Sequence, residues 1–113
     1  MLKRILLAED EALTRRAVSS WLRSTGYDVI EARDGVEAID LLDTSRFELV
    51  VTDIRMPRVD GVAVLTHLRA ISPDVPCIVL SAYATDADRM WGAVVIKKPV
   101  ALEDLELRIR RML

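Results

Sequence analysis

The chain has 113 residues, 51% of them hydrophobic, which suits one compact domain around one core and makes a second domain unexpected. Its 16 basic and 18 acidic side chains nearly cancel, so neither sign reaches the excess that direct binding to nucleic acid or anionic lipid would use. The single cysteine, Cys77, lies inside the apolar run CIVL and reads as a buried strand thiol rather than a disulfide partner, metal ligand or nucleophile, as expected in a reducing, cytoplasmic compartment.

At the amino terminus, only Ile5 to Ala8 form an apolar run before three acids, too few for a signal-peptide core or a membrane span. RILLA, Arg4 to Ala8, is the first strand candidate, and it stops on Glu9, Asp10 and Glu11. Leu13, Ala17, Val18, Trp21 and Leu22 then recur at helical spacing as one apolar face, and Gly26 ends that helix. Asp10 is a candidate for its cap, with Glu9 and Glu11 favourable beside the helix amino terminus. DVIEA, Asp28 to Ala32, is a second strand; Asp34 and Gly35 open a second helix whose inner face is Val36, Ile39 and Leu42.

LVVTD, Leu49 to Asp53, is a third strand that ends on an aspartate before a turn through Arg55, Met56 and Pro57. Asp60 and Gly61 open a third helix with Val62, Leu65 and Leu68 inward. His67 on that helix has no clustered ligand and is expected at or near the surface. CIVLS, Cys77 to Ser81, and VVIK, Val94 to Lys97, supply the fourth and fifth strands. Lys98 and Pro99 follow, and Leu102, Leu105, Ile109 and Met112 mark the last helix.

Strands alternating with helices specify an α/β fold: a doubly wound, five-stranded parallel sheet with helices on both faces. Ligands of such sheets bind outside the carboxyl ends of the strands. The residues at those ends are Glu9, Asp10 and Glu11, then Asp53, Ser81, Lys97, Lys98 and Pro99. Carboxylates gathered at one edge repel, and a divalent cation relieves that conflict. Mg²⁺ suits them, because it takes oxygen ligands and is often held by one or two carboxylates together with a phosphate. Lys98 as a point charge and Ser81 as a hydrogen-bond donor would complete a phosphoryl pocket, with Asp53 as its nucleophile.

LLAEDE, LVVTDIRMP followed by VDG, IVLSAY and IKKPV together resemble, in order and over essentially the whole chain, the receiver domain of two-component response regulators. The resemblance implies one receiver domain over residues 1–113, of flavodoxin-like fold with strand order 2-1-3-4-5. It implies that Asp53 accepts a phosphoryl group from a phosphohistidine on a sensor histidine kinase or phosphotransfer protein. Glu9 and Asp10 match the family's Mg²⁺-binding acidic pair, and Arg55 the position whose backbone carbonyl is a metal ligand. Ser81 matches the hydroxyl that contacts the phosphoryl group, and Lys98 the lysine before a proline, whose peptide bond is usually cis in the family. Such a domain assists its own phosphorylation and dephosphorylation and acts as a timed switch, not a turnover enzyme.

Two departures from the family pattern fall together. Val95 stands where the fifth strand usually carries a Tyr or Phe that rotates inward on activation. Only 16 residues separate Ser81 from Lys98, shorter than the family's spacing by roughly five, more than one helical turn. A shortened fourth helix within ATDADRMWGA is expected, on the face through which receivers often signal and form homodimers. The alternative is a receiver-fold interaction module that binds its partners regardless of phosphorylation. A haloacid-dehalogenase-type phosphatase would need a second acid where Arg55 stands, and a flavodoxin-like cofactor binder a phosphate loop where EDEA stands. The output domain or partner protein is not specified by these residues.

Overall fold

The computed structural model describes residues 2–83 and 92–113. Five strands and four helices follow in the order β1 (Arg4–Ala8), α1 (Ala12–Ser24), β2 (Asp28–Ala32), α2 (Gly35–Thr44), β3 (Leu49–Asp53), α3 (Gly61–Ile71), β4 (Cys77–Ser81), β5 (Val94–Lys97) and α4 (Leu102–Met112). The strands form one parallel sheet in the order β2-β1-β3-β4-β5, the doubly wound arrangement expected from the alternation and the resemblance. The helix expected between Ser81 and Lys98 falls on residues 84–91, outside the described residues.

Alternate residues of each strand feed opposite faces of the sheet, because successive side chains point to opposite sides. Leu6, Ala8, Val50 and Val79 pack with Ala38 and Leu42 of α2 and Val64, Leu65 and Leu68 of α3. Ile5, Leu7, Leu49, Val51, Ile78 and Leu80 pack on the other side with Val18 and Leu22 of α1 and Leu105 and Ile109 of α4. The central strands β3 and β4 are buried at every residue, as parallel strands covered on both faces must be. Cys77 is buried among them. Trp21 packs at the margin of the second cluster, while His67 is half-buried and pairs with Asp43 at 2.6 Å, tying α3 to α2.

The inner face of α1 differs from the apolar pattern. Leu13 is 74% exposed and Ala17 is also exposed, whereas Val18, Ser19 and Leu22 are buried. Ala17 instead lines an open, largely apolar groove together with Val18, Leu80, Pro99, Val100 and Leu102. Ser19 replaces Ala17 on the inner side because its hydroxyl has a partner there, donating to Glu31 Oε2 at 3.0 Å. The cap of α1 is Glu11 rather than Asp10: its carboxylate accepts from the Leu13 and Thr14 amides at 3.1 and 2.6 Å. Asp34 and Asp60 cap α2 and α3 as their spacing predicts, accepting from the Glu37 and Ala63 amides. Among the described residues no helix is long and apolar enough to cross a membrane.

Candidate functional site

Parallel pairing levels the strand ends. Ala8 pairs with Thr52, so Glu9 and Asp53 emerge side by side from β1 and β3, while Ser81 pairs with Lys97 and brings Lys98 to the same edge. Asp53 has no room to move along its strand. Ile54 N–H donates to the Leu80 carbonyl at 3.1 Å, and Gly61 N–H returns to the Ile54 carbonyl at 2.8 Å. A Cβ at Gly61 would stand 2.4 Å from the Asp53 carbonyl oxygen, so only glycine lets α3 begin against that peptide.

One carboxylate oxygen from each of Glu9, Asp10 and Asp53 lies within 4.8 Å of the others. Glu9 and Asp53 are buried, Asp10 is exposed. Lys98 Nζ sits 2.8 Å from Asp53 Oδ2 and 3.4 Å from Glu9 Oε1, spanning two of the three carboxylates. Burial, then the charge of Asp53, holds the Glu9 carboxyl above the usual carboxylate range, although the Glu11 amide and Lys98 pull the other way. Burial disfavours the Lys98 ammonium, but the hydrogen bond and charge of Asp53, with Glu9 beside it, outweigh that and raise its pKa. Three carboxylates sharing one ammonium remain over-supplied with negative charge, and an all-oxygen donor set of this size fits Mg²⁺.

Ser81 and Arg55 flank this cluster in ways the sequence did not indicate. The Ser81 hydroxyl donates to the Tyr83 carbonyl at 2.8 Å and accepts from its amide at 3.1 Å, so it is turned into its own strand exit. The Arg55 guanidinium stacks 4.5 Å above the Tyr83 ring, bridging the exits of β3 and β4. Lys98 and Pro99 are joined by a cis peptide bond, as the resemblance implies. Glu11, whose amide donates to Glu9 Oε2 at 3.1 Å, and Arg15, whose Nη1 donates to the Glu9 carbonyl at 2.9 Å, also support the pocket. Glu11 carries a weak signal as a helix cap; Arg15, one of several arginines on α1, carries none.

Residues 5–110 match the family model described as the response regulator receiver domain. The chain belongs to the response regulator receiver family. This receiver domain is 39% identical over 115 residues to the response regulator MprA of Mycobacterium sp. (strain KMS), an alignment covering 97% of this chain and 50% of that protein. It spans about half the length of the curated relatives it matches. Among solved structures, it superposes on the response regulator TrrA of Thermotoga maritima, determined in complex with Mg²⁺-BeF, with a TM-score of 0.92 at 29% identity, covering 99% of this chain and 100% of that one. The receiver domain of sensor histidine kinase PA1611 from Pseudomonas aeruginosa, with magnesium in its active-site cleft, matches with a TM-score of 0.89 at 27% identity, covering 99% of this chain and 98% of that one. The fold is therefore that of a receiver domain of two-component response regulators.

Proposed function

We propose that this receiver domain accepts a phosphoryl group on the Asp53 carboxylate from a phosphohistidine of a sensor histidine kinase or phosphotransfer protein, in a Mg²⁺-dependent reaction. The observation that carries this reading is Lys98 Nζ, 2.8 Å from Asp53 Oδ2 inside the cluster with Glu9 and Asp10. The carboxylates of Glu9, Asp10 and Asp53 and the backbone carbonyl of Arg55 are the groups that would hold the ion. When bound, Mg²⁺ would neutralise charge on the phosphoryl oxygens.

In this reading an Asp53 carboxylate oxygen attacks phosphorus, the phosphorus–nitrogen bond of the donor breaks, and the histidine departs carrying the electron pair. The strand end and the Gly61 contact fix the carboxylate, so alignment costs little entropy at the moment of transfer. Lys98 exchanges the carboxylate for a phosphoryl oxygen as negative charge moves outward. Ser81 must leave the Tyr83 peptide to reach the phosphoryl group, which makes the exit of β4 the element that reports phosphorylation. Val95, half-buried against the cluster containing Val79, offers no ring to rotate, so the surface change would begin at the Ser81–Tyr83 turn. The result is a phosphoacceptor signalling domain, acting through an output domain or partner protein.

The test is the intact mass of the protein after incubation with a small-molecule phosphodonor, with and without Mg²⁺, beside Asp53→Asn. A Mg²⁺-dependent gain of one phosphoryl group, absent in the variant, is expected. No gain from folded protein that binds Mg²⁺ would instead favour a phosphorylation-independent interaction module.

A further inference from the structure

Glu9 lies one residue beyond β1, and each of its polar groups has a partner. Its amide donates to the Ala32 carbonyl at 3.1 Å, Oε2 accepts from the Glu11 amide at 3.1 Å, and Oε1 faces the Lys98 ammonium at 3.4 Å. The remaining group is its carbonyl, past the last pair of the β1–β3 ladder, and it accepts from Arg15 Nη1 at 2.9 Å. Arg15 is itself held: its Nε is 3.3 Å from Glu31 Oε1 on β2, and its side chain is only 14% exposed. The second oxygen of Glu31 accepts from Ser19 Oγ at 3.0 Å and Arg23 Nη2 at 3.2 Å. A continuous set of contacts thus runs from β2, through Arg15, to the peptide that joins Glu9 to Asp10.

That peptide sets the directions in which both carboxylates leave the backbone. We infer that Arg15 is a positioning residue for the acidic pair, fixing the affinity of the pocket for Mg²⁺ through the Glu9 carbonyl and without touching the ion. A guanidinium suits the task, because its planar fork serves a carbonyl with one arm and a carboxylate with another, which a lysine ammonium cannot do in the same geometry. The inference rests on the metal-binding reading above. It also has a sign of its own. Removing a positive charge beside three acids would, by electrostatics alone, favour a cation. Loss of Arg15 should nevertheless weaken binding, because it frees the Glu9–Asp10 peptide.

The experiment is calorimetric titration of the full chain with Mg²⁺, comparing wild type with Arg15→Met and Arg23→Met. Each variant removes one positive charge and one contact to Glu31, but only the first removes the bond to Glu9. Arg15→Met should bind Mg²⁺ about tenfold more weakly, the loss typical when a group supporting a ligand is removed. Arg23→Met should bind as wild type or more tightly. Arg15→Met should also need a higher Mg²⁺ concentration than wild type or Arg23→Met to reach half of its own maximal rate of phosphorylation by a small-molecule donor. Arg15→Met binding as tightly as wild type, or Arg23→Met losing as much affinity, would overturn the inference while leaving the metal site standing. A wild-type chain that takes up no Mg²⁺ would overturn both. Should Arg15→Met not fold, Arg15→Gln replaces it, with the same expected weakening and the same overturning result.

Discussion

Lys98 Nζ and Asp53 Oδ2 meet at 2.8 Å although 45 positions separate them, because β5 and β3 end at one edge of the sheet with β4 between them. The contact presets Lys98 for the charge that phosphoryl transfer would move outward from the carboxylate. Replacing Lys98 by Met removes that ammonium and leaves two buried carboxylates without it. Phosphorylation by a small-molecule donor should then slow by about a hundredfold, the order found when one fixed charge-stabilising donor is lost. Mass spectrometry over a time course at saturating Mg²⁺ measures it, and a rate equal to wild type would remove Lys98 from the mechanism.

Gly61 is required by a close approach rather than by backbone freedom. The Cβ of Gly61→Ala would lie 2.4 Å from the Asp53 carbonyl oxygen and 2.8 Å from Ile54 Cα, both backbone atoms that cannot swing aside. The start of α3 must retreat from β3. A loss of about 1 to 3 kcal/mol in urea unfolding is expected, the usual cost of overpacking. Phosphorylation should slow as well, since the displaced peptide carries Asp53. Gly26, at φ 105° with nothing within 4 Å of its Cβ direction, provides the contrast: an alanine there strains the backbone but leaves the site alone.

Asp34 caps α2 and pairs with Arg58 at 2.6 Å, holding the β3–α3 loop over the start of that helix. The Glu37 amide, then Arg58, lowers its carboxyl pKa below the ordinary value. A depressed folded pKa means stability that is complete above the unfolded value and is lost as pH falls through the folded one. Asp34→Ala should therefore melt at a lower temperature than wild type at neutral pH, and the gap should narrow below about pH 4. A gap that stays constant into acid would show that the ionised carboxylate is not what stabilises the cap.

Cys77 is 1% exposed, and burial pushes its thiol up to about 12. Only a thiolate at the surface reacts readily. Native protein should resist iodoacetamide, and denaturant should make alkylation track the unfolded fraction, because the thiol is buried in β4, between β3 and β5. Rapid alkylation under native conditions would mean that β4 opens locally, and with it the Ser81 end of the site.

The strands were legible because parallel strands covered on both faces must be continuous apolar runs, and all five read from composition coincide with those observed. Glu9, Asp10, Asp53 and Lys98 were legible for a related reason: each breaks such a run, or follows its end, with a charge that a core does not tolerate. The helix faces were harder. Leu13 and Ala17 keep the apolar period of α1 yet are exposed, while Ser19 is buried through its bond to Glu31, so the pattern alone misplaces the inner side. The contacts of Arg15 with the Glu9 carbonyl, of Gly61 with the Asp53 peptide and of Ser81 with the Tyr83 peptide were illegible. These contacts are made to backbone atoms brought near by the fold, and backbone atoms leave no mark in side-chain pattern.

The same charge balance decides how Mg²⁺ should act on stability. Glu9 and Asp53 are buried beside Asp10, and their mutual repulsion is offset by Lys98 and, at Glu9, by the Glu11 amide. A cation that binds the folded pocket and not the unfolded chain stabilises by mass action, by about 2.7 kcal/mol at a hundred times its dissociation constant. Melting temperature should therefore climb steadily with Mg²⁺ for wild type. Asp53→Asn removes one of the repelling charges, so it should start from a higher melting temperature without metal and gain less from adding it. Differential scanning calorimetry at several Mg²⁺ concentrations tests both halves. If Asp53→Asn melts below wild type in metal-free buffer, the Lys98 pairing outweighs the repulsion. The cluster would then be a stabilising ion-pair network and not a preloaded cation site.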